Sequence, residues 1–250
     1  MGCEFHFDAA VPVPAVVLLR AAQDDDVTVE RETWHVKSTN SSFSDLVDVY
    51  GNRARRVVIG AGKASLRYDA EVTTSAALDE VSPEAVQHRV EDLPGELFIY
   101  MLASRYCLSD MLSDAAMDLF GTTPLGWERV QAVCDWVHDN VRFDYGATRP
   151  DRASVDVFQA TAGVCRDFAH LAISFCRALN IPARYVFGYL PDIDVNPPPA
   201  TCGPRHRPNH SVRDGHGRGD SAPRSGNSRD KPRSQELAAS QVGIAVTSGG

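Results

Sequence analysis

Of the six cysteines in this chain, Cys165 has the setting that best suits a nucleophile. It stands in "GVCRDFAHLAISFCRALNIPARYVFGYL" (163–190), just after Gly163 and at the first turn of a helical apolar pattern. A thiol attacks as its thiolate, and free N–H groups at a helix start stabilise that anion. The same groups can hold the oxyanion of an acyl-transfer intermediate. The competing reading makes Cys165 a small residue at a tight helix–strand contact. Cys134 and Cys176 fall on apolar helix faces and read as core. The cysteines contain no C-x-x-C pair and no zinc spacing, so neither a metal site nor a cofactor is expected.

A thiol nucleophile needs a base. His6 and His35 sit in strand or loop patterns, and His138 lies beside an apolar helix stripe and reads as surface. His206, His210 and His216, with Asp214 and Asp220, nominally complete a triad, but the surrounding sequence offers no scaffold to fix their geometry. Asp192 and Asp194, ahead of a proline run, read as a solvated loop rather than a calcium site.

The elements that must position Cys165 follow from periodicity. Residues 11–20 read as extended, and "VTVERETWHV" (27–36) alternates as a half-buried strand does. "VDVYGNRARRVVIG" is a hairpin signal around Gly-Asn, and 64–76 is another strand. Residues 1–80 thus form a small β domain, and the acidic, proline-bearing stretch 81–96 reads as a linker. Helices are expected over 109–121, over 123–146 with Thr-Pro as its start, over 154–160, and from Cys165 to about Leu179. A strand set by Pro182 follows over 181–190.

The chain has 250 residues, 43% of them apolar and 23% charged, and a formal charge of −8. These values describe a globular protein without the basic face of a nucleic-acid binder or an apolar run of membrane-span length. Neither nucleic acid nor membrane is an expected partner, and the scattered cysteines suggest a cytoplasmic setting. The average conceals a split. Residues 1–200 carry 17 basic and 29 acidic side chains, and residues 201–250 carry 8 and 4.

Gly-x-Cys, then Asp-Phe-Ala-His-Leu, an apolar helix, Ile-Pro-Ala-Arg and a Gly-Tyr strand end closely resemble the core motif of the bacterial transglutaminase-like family, a branch of the papain-like cysteine enzymes. The resemblance is dense over about residues 97–200, and the preceding strands look like the β domain that often accompanies this core. It implies an α+β protein: an N-terminal β-sandwich-like domain, then a papain/transglutaminase-like core of helices packed on an antiparallel sheet. It also implies acyl transfer by a Cys-His-Asp triad on a protein or peptide substrate. Cys165 would attack a glutamine carboxamide or peptide amide to give a thioester, resolved by an amine in transamidation or by water in hydrolysis. Cysteine protease activity is the neighbouring alternative. Asp167 and His170 match the motif as structural residues, since helix geometry turns His170 away from the thiol. Gln159, six residues before the cysteine, stands where papain-like proteases place an oxyanion-hole glutamine, although a surface position is simpler.

In the family a strand with a His-Ala-Trp context and a later aspartate follow this core. Here no Phe, Trp or Tyr occurs after Tyr189, and Arg, Gly, Ser and Pro make up 26 of the last 50 residues. Such composition reads as a disordered tail over 201–250, with "VGIAV" as its one strand-like stretch. The abrupt switch near residue 200 points to a shifted reading frame or rearranged 3′ end, leaving the core incomplete and the triad impaired. A catalytically inactive homologue that acts by binding is therefore the second reading.

Overall fold

The computed structural model describes residues 1–23, 27–74, 81–147 and 149–189, together with the strand Val242–Val246. The described residues fall into two units, 1–74 and 81–189 with 242–246.

The first unit is two antiparallel three-stranded sheets. One has the order β1 (Gly2–Ala9), β6 (Gly62–Thr74), β3 (Val27–Lys37), and the other β2 (Val13–Val17), β5 (Arg53–Ile59), β4 (Ser42–Val47). The β4–β5 hairpin turns at Asp48–Asn52, where Gly51 takes φ +80 and Asp48 accepts the backbone N–H groups of Tyr50 and Asn52. Strand β1 escapes a reading based on polarity, yet its apolar residues Cys3, Phe5 and Phe7 alternate with exposed Glu4, His6 and Asp8. The sheets meet through buried Val57, Ile59 and Ala64, with Phe7 and Ala15 packed against them. Arg55 lies 4.3 Å from the Trp34 ring centroid and pairs with Asp45 at 2.6 Å, so charged and aromatic groups supplement a thin apolar core.

The second unit is built around one helix, α4 (Cys165–Ala178), in which every residue from Asp167 to Cys176 is buried. Three helices surround it: α1 (Ser113–Phe120), α2 (Trp127–Asn140) and α3 (Ser154–Ala160). Phe175 stands at the centre of this packing. Its ring meets Phe120, Trp136 and Phe158 edge-on, at centroid distances of 5.3, 5.6 and 5.7 Å. The apolar stripe of α2 is buried at Val130, Val133, Cys134 and Val137, and His138 is exposed.

The start of α2 differs from the Thr-Pro expectation. The helix begins at Trp127, because Gly126 at φ +96 breaks the helical backbone and Trp127 N–H is held by the Ala85 carbonyl. Thr123 instead receives Arg129, whose guanidinium donates to the Thr123 hydroxyl and to the carbonyls of Gly121 and Thr123. The acidic stretch read as a linker lies against this unit, with Gln87 donating to the Leu179 carbonyl at 2.9 Å.

After α4, Asn180 adopts a left-handed backbone at φ +59 and Ile181 N–H returns to the Cys176 carbonyl, closing the helix end. Pro182 then leads into β9 (Ala183–Phe187), which Arg177 ties to the helix by two hydrogen bonds to the Ala183 carbonyl. Strand β10 (Val242–Val246), the one strand-like stretch of the tail, pairs antiparallel with β9, Val242 opposite Phe187 and Val246 opposite Ala183. The rest of the expected disordered tail, and the composition switch near residue 200, fall outside the described residues. No helix among the described residues is long and apolar enough to cross a membrane.

Phe175→Ala would remove the ring on which three others converge. An unfolding free energy lower by about 3–5 kcal/mol is expected from chemical denaturation of the variant, the usual cost of an aromatic core truncation.

Candidate active site

Cys165 is placed by what precedes it. Two short strands, β7 (Arg142–Phe143) and β8 (Ala162–Gly163), pair in parallel, with Phe143 opposite Gly163. Gly163 therefore arrives at the head of α4 in a fixed place. Its lack of a side chain is required there, since a Cβ would sit 2.7 Å from the Asp167 Cβ. Val164 is extended at φ −109, ψ 176, and Cys165 opens the helix. Asp167 closes the corner: its Oδ2 accepts the Val164 N–H at 3.0 Å, leaving the carboxylate wholly buried. Its Oδ1 accepts Arg166 Nη2 at 3.1 Å, and Arg166 also donates to the Arg149 carbonyl at 2.9 Å.

The Cys165 thiol is half-buried, and two opposing sets of groups act on it. Burial pushes it up, and the nearby Asp167 carboxylate adds to that push. The backbone N–H groups of Arg166 and Cys165 at the helix start pull it down, as does the Arg166 charge. The net direction is upward. The helix-start effect expected from sequence is present in the two N–H groups, but desolvation outweighs it. The sequence signal for the position was sound; the degree of burial was not readable from it.

His170 lies in the middle of the buried helix face. Its ring stacks on Tyr106 at 5.2 Å with an interplanar angle of 2°, and tilts against Tyr185 at 5.1 Å. Nδ1 has no hydrogen-bond partner, and burial pulls the imidazole down to about 4, so it is neutral at physiological pH. This is a packing position. Tyr106 is held there because its carbonyl accepts Ser154 N–H at 2.9 Å, while Ser154 Oγ accepts Leu108 N–H. Tyr185, on β9, is pushed up to about 12 by burial, with the Cys165 charge adding to the effect. The tyrosine is thus a neighbour of His170 that motif reading did not single out. Its distance along the chain hides it, and only the return of β9 past the helix brings it in.

Gln159 is exposed on α3. His206, His210, His216, Asp214, Asp220, Asp192, Asp194 and Cys202 lie outside the described residues. No disulfide links the described cysteines, and no group of three or more described His, Cys, Asp or Glu side chains is placed to hold a metal ion. An open hollow of about 540 Å³ is lined by His138, Arg142, Phe143 and Phe168 among others. Cys165 does not line it, so the chemistry at the thiol gives this hollow no assigned role.

Residues 115–218 match the model of the transglutaminase-like superfamily. A crystal structure of a provisionally assigned cysteine protease from Cytophaga hutchinsonii is similar with a TM-score of 0.67 and 30% identity, covering 79% of this chain and 68% of that one. The chain belongs to the transglutaminase-like superfamily. A segment of 61 residues is also 38% identical to an uncharacterized protein of Mycobacterium leprae, and spans 24% of this chain and 22% of that protein. The periplasmic domain of TgpA from Pseudomonas aeruginosa overlaps more loosely, with a TM-score of 0.35 and 14% identity over 76% of this chain and 59% of that one. The α+β architecture is thus that of the superfamily, with a β-sandwich-like unit ahead of the helical core.

With its thiol pushed up by burial, Cys165 should react slowly with iodoacetamide at pH 7 and progressively faster as pH rises. The buried Cys107, Cys134 and Cys176 should stay protected until the protein unfolds. Site-mapped labelling across pH checks both, and a Cys165 rate already at its plateau by pH 6 would contradict the first.

Proposed function

We propose that this chain is a cysteine acyltransferase or hydrolase acting on a glutamine carboxamide or peptide amide of a protein or peptide. The observation that carries this reading is the place of the Cys165 thiol at the head of buried helix α4 within the matched core, where the first backbone N–H groups of a helix are free donors. In the reaction the sulfur forms a bond to the carbonyl carbon, and the carbonyl oxygen takes up negative charge beside those donors. Collapse breaks the carbon–nitrogen bond, releasing ammonia or an amine that takes a proton, and leaves a thioester on Cys165. An attacking amine then gives a new amide, or water gives the acid, and the thiol returns. The base is assigned to no described residue, since His170 is neutral and engaged with Tyr106 and Tyr185. We take the setting to be cytoplasmic, where thiols such as these stay reduced.

The second reading is a catalytically inactive homologue that works by binding. It is favoured by the upward push on the Cys165 thiol, which leaves little thiolate at neutral pH. Incubating the purified protein with a glutamine-containing peptide and a fluorescent primary amine distinguishes them. The active reading expects amine incorporation or peptide hydrolysis, a mass-detectable thioester, and loss of at least about a hundredfold in Cys165→Ala. No turnover in the full chain, with the fold intact by circular dichroism, supports the inactive reading.

A further inference from the structure

The edge of a β-sheet presents unpaired backbone N–H and C=O groups, a template for another strand unless something blunts it. Three of the four edge strands in the first unit are blunted. Strand β1 carries exposed Glu4, His6 and Asp8. Strand β3 carries Glu30, Arg31, Glu32 and Lys37, and its register shifts between Val29 and Arg31. Strand β2 contains Pro14, which leaves that edge a donor short. Strand β4 has none of these devices. Its sequence, SFSDLV, contains no Lys, Arg, Glu or Pro, and among the described residues it pairs with β5 alone. Its one charge, Asp45, is held by Arg55 at 2.6 Å and by Arg20 at 3.0 Å.

Phe43 and Val47 flank Asp45 on the same face of this strand and are 61% and 68% exposed. The strand is therefore its own complement. We propose that β4 is the seam of a homodimer, pairing antiparallel with β4 of a second copy about a two-fold axis at Asp45. In that register Phe43 lies opposite Val47 of the second copy and Val47 opposite its Phe43, so both apolar pairs close at once. The two Asp45 carboxylates meet on the axis, but each is already bonded to two arginines of its own chain, so no bare like charges are brought together. The contact is isologous and uses the one unblunted edge of each copy, so assembly stops at two chains rather than growing into a fibre. Six paired residues a side make a small interface, and the dimer is accordingly weak and dependent on concentration. The seam is independent of the chemistry at Cys165.

Sedimentation equilibrium of the full-length chain from about 1 to about 200 µM is the first test. The mass should rise from the 27.2 kDa of one chain toward twice that and level off there. Phe43→Lys and Val47→Lys each put a charge on the edge at a position that is exposed in the single chain, and each should raise the dissociation constant about tenfold or more. Val16→Lys, equally exposed on the proline-bearing β2, should leave it unchanged. The register is tested by disulfide formation under mild oxidation. A mixture of Phe43→Cys and Val47→Cys chains should cross-link faster than either variant alone. A mass fixed at one chain over the whole range leaves the edge to a strand of another protein and overturns the proposal. So does a mass that keeps rising past two chains, or a dimer that both lysine variants leave intact. Should the lysine variants fail to fold by circular dichroism, the cysteine pair decides, since cross-linking of the mixture no faster than of the single variants refutes the seam.

Discussion

The site depends on the burial of α4. A helix with all of residues 167–176 out of water must satisfy its polar groups internally, and each satisfaction fixes a neighbour. Ser174 Oγ donates to the His170 carbonyl, Arg177 ties the helix to β9, and Asp167 closes the corner at its head. Phe175 sets its depth through three rings. Position and environment of Cys165 are therefore consequences of packing along the helix rather than of anything local to the thiol.

That burial has a chemical cost. The free N–H groups at the head of a helix favour a thiolate, but a head sunk into the core also strips the sulfur of water. Here the second effect wins, and an adjacent carboxylate adds to it. The arrangement shelters the thiol rather than exposing it. It is compatible with an enzyme whose thiol ionises when a partner group arrives, and equally with a homologue in which none does.

Much of this was legible in the residues. The strands at 27–37 and 62–74 and the helix at 154–160 follow their periodicity closely, because half-buried strands and amphipathic helices leave a pattern in which positions are apolar. Strand β1 was hidden behind charged residues on its outer face, though its alternation is present. The α2 boundary was misplaced because Thr-Pro is a good start signal, whereas Gly126 and the Ala85 carbonyl, distant in sequence, decide where the helix begins. Tyr106 and Tyr185 could not be read as neighbours of His170, since 64 and 15 residues separate them from it along the chain.

Sequence alone determined that Cys165 heads a helix, that Gly163 allows a tight backbone approach ahead of it, and that the motif around it resembles that of the transglutaminase-like family. These are local properties: a glycine, a cysteine and an aspartate at fixed spacing specify a corner wherever it is placed. Only the tertiary structure decided that the corner lies half-sunk in the core, that Asp167 is buried rather than exposed like Asp156, and that β9 returns past His170 with Tyr185. Ionisation of the thiol depends on solvent and on charges brought together by folding, and neither is a property of the chain read in order.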